Sequence, residues 1–218
     1  MSLERYFKKD IEMATSWDDV TLEQFDRLQE IDKDDVFATA DILSILTGLD
    51  AEELLKLPSD EYMMLCDKIN FLNDMPRTCI PEPKLKLGDV IFNITLAPQD
   101  MTAEQFLEYK SILMADKIDR KTARLMMCFM IPEGCKYNDG NYKIDEMLDL
   151  IYKHMSVVEV TAYANFFMMQ YQAYTKAMLE YSERKIKKNK AMTKQQKKFL
   201  IMRIQEVKDI IKNGGCFQ

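Results

Sequence analysis

The chain has 218 residues, an apolar fraction of 47% and a formal charge of −6, which is enough length and hydrophobicity for one sizeable domain or two small ones and indicates a globular protein with a real core, not a disordered chain by default. Six Gly and six Pro beside seventeen Met tilt the composition toward helix. The N-terminal Met1–Lys9 lacks the apolar stretch of a secretory signal and no segment is apolar for long enough to span a bilayer, so the expectation is a protein that stays in the compartment where it is made.

In chain order, Thr21 can cap a helix whose third residue is Gln24, with the Gln24 side chain reaching back to complete a capping box. Val20 before the cap and Phe25 at the fourth helical position form a hydrophobic staple. A helical rhythm follows from Asp35 to Leu46 and stops at Gly48. Asp50 suits an N-cap for Ala51–Leu55, Pro58 breaks that run, and Ser59 starts another helix reaching about Leu72. Three prolines between Met75 and Pro83 mark a connector. It leads to a predicted hairpin in which Lys84–Leu87 alternates, Gly88-Asp89 turns, and Val90–Leu96 is rich in strand formers.

The segment Asp19-Val20-Thr21-Leu22-Glu23-Gln24-Phe25 then recurs, with five identities, as Asp100-Met101-Thr102-Ala103-Glu104-Gln105-Phe106. Two comparable helical starts result, whether by duplication or by convergence on one capping solution. The apolar run Ala123–Ile131, closed by Pro132 and Gly134, predicts a buried helix, and Asn138–Asn141 predicts a turn before a helix through Ile144, Met147, Leu148 and Ile151. Ser156 caps a pattern continuing to about Lys188, some 45–50 Å of helix at 1.5 Å per residue. After a turn at Asn189–Met192, Thr193 and Gln196 form a third potential capping box. Phe199, Leu200, Ile204, Val207, Ile210 and Ile211 supply the apolar stripe of the final helix, and Gly214-Gly215 its stop.

The expected fold is therefore mainly α, a multi-helix bundle with one small β-hairpin and a long C-terminal helical hairpin. Residues 1–74 form an N-terminal helical unit, 75–100 a connector with the β-hairpin, 101–155 a second helical unit, and 156–218 the helical hairpin with its basic arm. Charge is divided unequally along this order. Residues 184–212 hold eleven Lys or Arg against Glu206 and Asp209, a balance of +9 that leaves −15 for the rest. Such polarity suits head-to-tail contacts between copies or a basic arm directed at a polyanion.

Signatures of chemistry are missing from the sequence. Neither G-x-x-x-x-G-K-[ST] nor G-x-G-x-x-G occurs. Cys66, Cys79, Cys128, Cys135 and Cys216 are odd in number and irregularly spaced, which suits reduced thiols. Without a C-x-x-C pair, and with His154 the only histidine, zinc spacing is absent. His154 lies near a predicted helix end, where it suits packing or the helix dipole better than catalysis. Asp32, Asp34 and Asp35 lack the central Gly and the twelfth-position Glu of a calcium loop and read as solvated or helix-starting acids. No catalytic residue, cofactor, metal or small-molecule substrate is expected.

Two clusters remain. Tyr163, Phe166, Phe167, Met168, Met169, Tyr171 and Tyr174 suit either an ordinary core or a partner-binding or subunit-packing surface, since Met adapts to irregular shapes and aromatics concentrate binding energy. Lys185, Lys187, Lys188, Lys190, Lys194, Lys197 and Lys198 suit a solvated face, phosphate neutralisation on DNA or RNA, or contact with an acidic neighbour.

The stretch Ser16-Trp17-Asp18-Asp19-Val20-Thr21-Leu22-Glu23-Gln24-Phe25, with Ile42–Leu49 and Glu52-Glu53-Leu54-Leu55, resembles small virion-structural and tail-assembly (chaperone-like) proteins of tailed bacteriophages, including crAss-like phages of Bacteroides-type gut hosts. The resemblance covers the N-terminal third. It implies a non-enzymatic structural subunit in a portal, neck or tail ring, made in the host cytoplasm, retained in the virion, and partnered by copies of itself and other phage structural proteins. A transient tail-assembly chaperone or adaptor is the alternative, and an accessory nucleic-acid-binding protein acting through the basic arm is the third.

Overall fold

The computed structural model describes residues 13–32, 34–77 and 79–212, with 210–212 described by backbone alone. The Met1–Lys9 segment, the Gly214-Gly215 stop and Cys216 lie outside these residues, as do the side chains of Ile210 and Ile211. Among the described residues four helices come first: α1 (Leu22–Gln29), α2 (Ala38–Thr47), α3 (Ala51–Leu54) and α4 (Ser59–Lys68), the last running into a 3-10 helix at Ile69–Asn73. Strands β1 (Lys84–Leu87) and β2 (Val90–Ile94) precede α5 (Ala103–Met114) and α6 (Lys121–Met127). Then come β3 (Met130–Pro132), α7 (Ile144–His154), α8 (Val157–Lys188) and α9 (Lys194–Lys212). The chain is mainly α, with one small antiparallel sheet and a long C-terminal helix pair.

Both repeated segments make their capping boxes. Thr21 Oγ1 accepts from Gln24 N at 3.2 Å while Thr21 N donates to Gln24 Oε1 at 3.0 Å, and Thr102 and Gln105 repeat this at 3.2 and 2.8 Å. The same glutamines do a second thing that the motif alone does not announce. Gln24 Nε2 donates to Ile45 O at 3.2 Å and Gln105 Nε2 to Cys128 O at 3.0 Å. Each glutamine thus ties the start of its helix to the end of the following one, across 21 and 23 residues respectively. The hydrophobic halves differ. Val20 and Phe25 share one apolar cluster, whereas Met101 packs on the main core and the Phe106 ring stacks on Tyr171 at 6.2 Å. Ser156 and Glu159 form a further box at the start of α8, and Thr193 and Gln196 form the expected one before α9.

In α2, helix begins at Ala38 and not at Asp35, because the Asp35 carboxylate accepts from Phe37 N at 2.8 Å in a turn that competes with the helix. Gly48 ends it in the left-handed conformation, φ 71°.

The expected buried helix over Ala123–Ile131 is corrected to a short helix followed by a strand. α6 ends at Met127, and β3 pairs antiparallel with β2 in the register Phe92↔Pro132 to Ile94↔Met130. A short apolar run has no period that separates buried helix from buried strand. The open edge of β2 decides, since Thr95 N donates to Phe129 O and Glu133 N to Ile91 O, both at 2.8 Å. The sheet order is β1-β2-β3, with Phe92 of the central strand fully buried. Gly88, at φ 56°, supplies the positive φ that the two-residue loop between Leu87 and Val90 requires.

The main core joins Leu22, Phe92, Tyr109, Met126, Met130, Leu148, Ile151 and Phe167, and thus draws on α1, the sheet, α5, α6, α7 and the first half of α8. Two smaller clusters lie beneath the N-terminal helices. One holds Val20 and Leu46 and reaches across to Val157 of α8, and the other holds Leu43, Leu54 and Leu65. Trp17 closes this unit, donating from Nε1 to Asp74 O at 2.8 Å and lying edge-on to Phe25 and Phe71.

Because Gln105 is 2% exposed while Gln24 is half-buried, truncating each should separate them. Gln105→Ala orphans Thr102 N and Cys128 O and is expected to cost about 2–3 kcal/mol, against about 1 kcal/mol for Gln24→Ala. Urea unfolding of both variants checks the order, and equal losses would contradict it.

Candidate functional site

At the base of α8 the side chains belong to the body. Tyr163 is buried and donates from its hydroxyl to Glu82 O at 3.0 Å. The Phe167 ring is buried between Phe129, at 4.9 Å, and Tyr109, at 5.1 Å. Met168 Sδ accepts from the Tyr109 hydroxyl at 3.7 Å, Phe166 is half-buried, and Tyr171 lies at the edge of the core against Phe106. Tyr163, Phe167 and Tyr171 therefore hold the root of the helix. Met169 and Tyr174 are exposed.

Beyond Tyr171 the helix leaves the body. Among the described residues, no side chain of α8 after Tyr171 and none of α9 joins a core cluster. The seventeen residues from Gln172 to Lys188 span about 25 Å at 1.5 Å per residue. This arm is a hairpin of the outer part of α8 with α9. None of its described α9 side chains is buried, and its apolar residues Leu179, Ile186, Leu200, Ile201, Ile204 and Val207 are half-buried. Polar ties supplement them. Glu183 accepts from Lys187 at 2.5 Å and from Lys208 of α9 at 2.7 Å, and Lys197 Nζ donates to Lys187 O at 3.1 Å. Nearer the body a cleft opens between Gln172, Ala173 and Lys176 of α8 and Gln205 and Asp209 of α9.

The arm carries apolar residues on its outer sides. Phe167, Tyr171, Tyr174, Met178 and Tyr181 follow a four-three-four-three spacing, so the face of α8 that packs into the body continues past the point where the body ends. Tyr174, Met178 and Tyr181 are 38%, 47% and 57% exposed. At roughly 100° per residue they lie opposite Lys176 and Glu183, which face α9. On α9, Phe199 and Met202 are also exposed. Phe199, expected in the stripe that holds the two helices together, points outward instead. Helices apolar on more than one side are normally covered on more than one side.

All seven lysines of the predicted basic cluster lie around the hairpin turn. Lys185 sits over the Tyr181 ring at 5.9 Å, and Lys187 and Lys197 serve the hairpin itself. Lys188, Lys190, Lys194 and Lys198 are exposed and, among the described residues, without an ion-pair partner. Sequence reasoning missed Met178, Tyr181 and Met202. The heptad spacing from Phe167 onward is the signal that finds the first two, whereas Met202 becomes visible only once the packed side of α9 is known.

Burial pushes the Cys128 thiol up to about 12, so it stays protonated at neutral pH. His154 is the exposed last residue of α7. Asp32 and Asp35 accept from Asp34 N and Phe37 N, and among the described residues no group of acids, His or Cys could hold a metal ion. No described helix is long and apolar enough to cross a membrane. The chain matches no family model, no curated protein and no solved structure.

Lys187 and Lys208 together hold the Glu183 carboxyl down at about 2, against an ordinary value of 4.5. A carboxyl lowered on folding adds stability that is complete above the ordinary value and disappears as pH falls through about 2. At neutral pH, Glu183→Gln is therefore expected to speed amide hydrogen exchange in residues 183–208 while leaving residues 144–167 unchanged. A uniform change along the chain would contradict a role confined to the arm.

Proposed function

We propose that this chain is a non-enzymatic assembly subunit that binds its partners through the C-terminal hairpin. The observation that carries the reading is the exposed outer face of α8, where Tyr174, Met178 and Tyr181 continue a packed stripe into solvent. Exposed aromatic residues in line with a structural core are the kind of surface that concentrates binding energy. The rigid root helps as well. Phe167 and Tyr171 fix the arm's direction, so little ordering is needed when a partner binds.

The resemblance of the N-terminal third to tailed-phage structural and tail-assembly proteins supports reading that assembly as a portal, neck or tail ring within a virion. Trp17, Asp19, Thr21, Gln24 and Phe25, which carry the resemblance, all have structural work in the N-terminal unit. Asp19 Oδ2, for example, gathers the backbone and hydroxyl groups of Thr15 and Ser16. A second reading, a transient chaperone or adaptor of tail assembly, is favoured by the exposed Met169, Met178 and Met202, whose flexible side chains can follow an apolar segment of variable shape.

Mass spectrometry of purified particles separates the two readings. A virion subunit is found in stoichiometric amounts, and a chain absent from finished particles would overturn the retained role. The triple variant Tyr174→Ser, Met178→Ser, Tyr181→Ser is expected to keep its helical content, because these side chains are exposed, yet to be lost from particles. Unchanged incorporation would remove the arm from the assembly surface.

A further inference from the structure

We propose that the occupant of the hairpin is a second copy of this chain: the basic tip of one copy docks head-to-tail on the acidic N-terminal helical unit of the next. The inference rests on the reading of the chain as an assembly subunit and names the contact between subunits.

The distribution of charge is the first support. Residues 16–77 contain sixteen Asp or Glu against five Lys or Arg, a balance of −11, whereas residues 78–183 carry only −4 and residues 184–212 carry +9. The excess acid is thus concentrated in α1–α4 and the loops between them. Among the described residues of that unit the one ion pair is Lys56–Glu52, at 4.0 Å. Among the described residues the ion pairs of the arm engage only Lys187, Arg203 and Lys208, so most of the charge at each pole is unpaired within its own molecule. Asp34, Asp41, Glu53 and Asp67 are exposed on one pole, as Lys188, Lys190, Lys194 and Lys198 are on the other.

Apolar exposure coincides with both poles. Phe37, Met63 and Met64 of the acidic unit are 57%, 60% and 52% exposed, which matches the exposed Tyr181, Phe199 and Met202 near the basic tip. A contact between these surfaces would bury apolar area and bring opposite charges together, giving both affinity and register. Two hairpins facing each other would instead place +9 against +9. A nucleic acid would satisfy the lysines but leave the aromatic and Met side chains uncovered, and residues 184–212 hold only two Arg, Arg184 and Arg203, beside nine Lys. Because tip and acidic unit are different surfaces of one chain, every docked copy still offers one of each. Repetition then closes as a ring or extends as a filament.

Sedimentation of the full chain tests this. Larger species are expected to grow with concentration at about 50 mM salt and to dissociate toward monomer at about 500 mM, where exposed charges are screened over a few ångströms. Reversing the tip (Lys188→Glu, Lys190→Glu, Lys194→Glu, Lys198→Glu) or the acidic unit (Asp34→Lys, Asp41→Lys, Glu53→Lys, Asp67→Lys) should each weaken association by more than about 100-fold. Mixing the two variants should restore it, because the native tip of one meets the native acidic unit of the other, and that recovery could not come from misfolded protein. An acidic-unit variant that still self-associates would show a hairpin-to-hairpin contact and overturn the proposal. So would a wild-type chain that stays monomeric throughout, or one that stays monomeric while its tip binds duplex DNA. Detection of such a monomeric chain in purified particles would leave the assembly reading standing without this contact.

Discussion

Two helix N-termini that complete each other fix how the arm meets the body. Leu22, the first residue of α1, donates its backbone N–H to Met155 O at 3.0 Å, and Val157, the first residue of α8, donates to Val20 O at 2.9 Å. The first N–H groups of a helix have no partner within it, and here each helix finds one in the carbonyl of the residue that precedes the other's cap. Thr21 and Ser156, facing each other in this bridge, then turn their hydroxyls inward to the N–H of Gln24 and Glu159. Val20, Leu22, Met155 and Val157 are buried around the junction, so water does not compete for its hydrogen bonds. The direction in which α8 leaves the body follows from this, because a 32-residue helix amplifies any change of angle at its root.

Around that junction the body is closed by reuse of one device. A glutamine that completes a capping box also spans to a carbonyl at the end of the next helix, once in the N-terminal unit and once in the second. Small helices of eight to twelve residues are marginal alone. Locked in pairs and packed on the sheet, they form a base from which the hairpin can stand out. The division of labour is physical: the capping residues and the two bridging glutamines hold the body around its apolar clusters, whereas the arm is left with half-buried apolar contacts, exposed aromatic residues and four lysines without an ion-pair partner among the described residues. On the proposed reading, that is the surface a second copy completes.

The legible parts of this architecture were those governed by local rules. Capping boxes at Thr21, Thr102 and Thr193, the stop at Gly48, the turn at Gly88-Asp89 and the start of α8 at Ser156 depend on residues within four positions of each other, so the order of types in the chain states them directly. β3 was not legible, because Met130–Pro132 is a strand only by virtue of the edge that β2 offers. The second bond of Gln24 and Gln105 was equally hidden, since nothing local names a carbonyl more than twenty residues away. At the arm, residue types were readable but their sides were not. Tyr163 and Tyr174 belong to one aromatic run, and only the end of the body between them makes the first a core residue and the second an exposed one.

The most direct test of a rigid body joined to its neighbours through the arm is zero-length cross-linking between lysines and carboxylates in an equimolar mixture of isotopically light and heavy chains. Head-to-tail docking predicts that mixed-isotope links, which can form only between copies, connect Lys188, Lys190, Lys194 and Lys198 to acids within residues 16–77. Mixed-isotope links found only within 78–183, or none at concentrations where larger species are present, would contradict it.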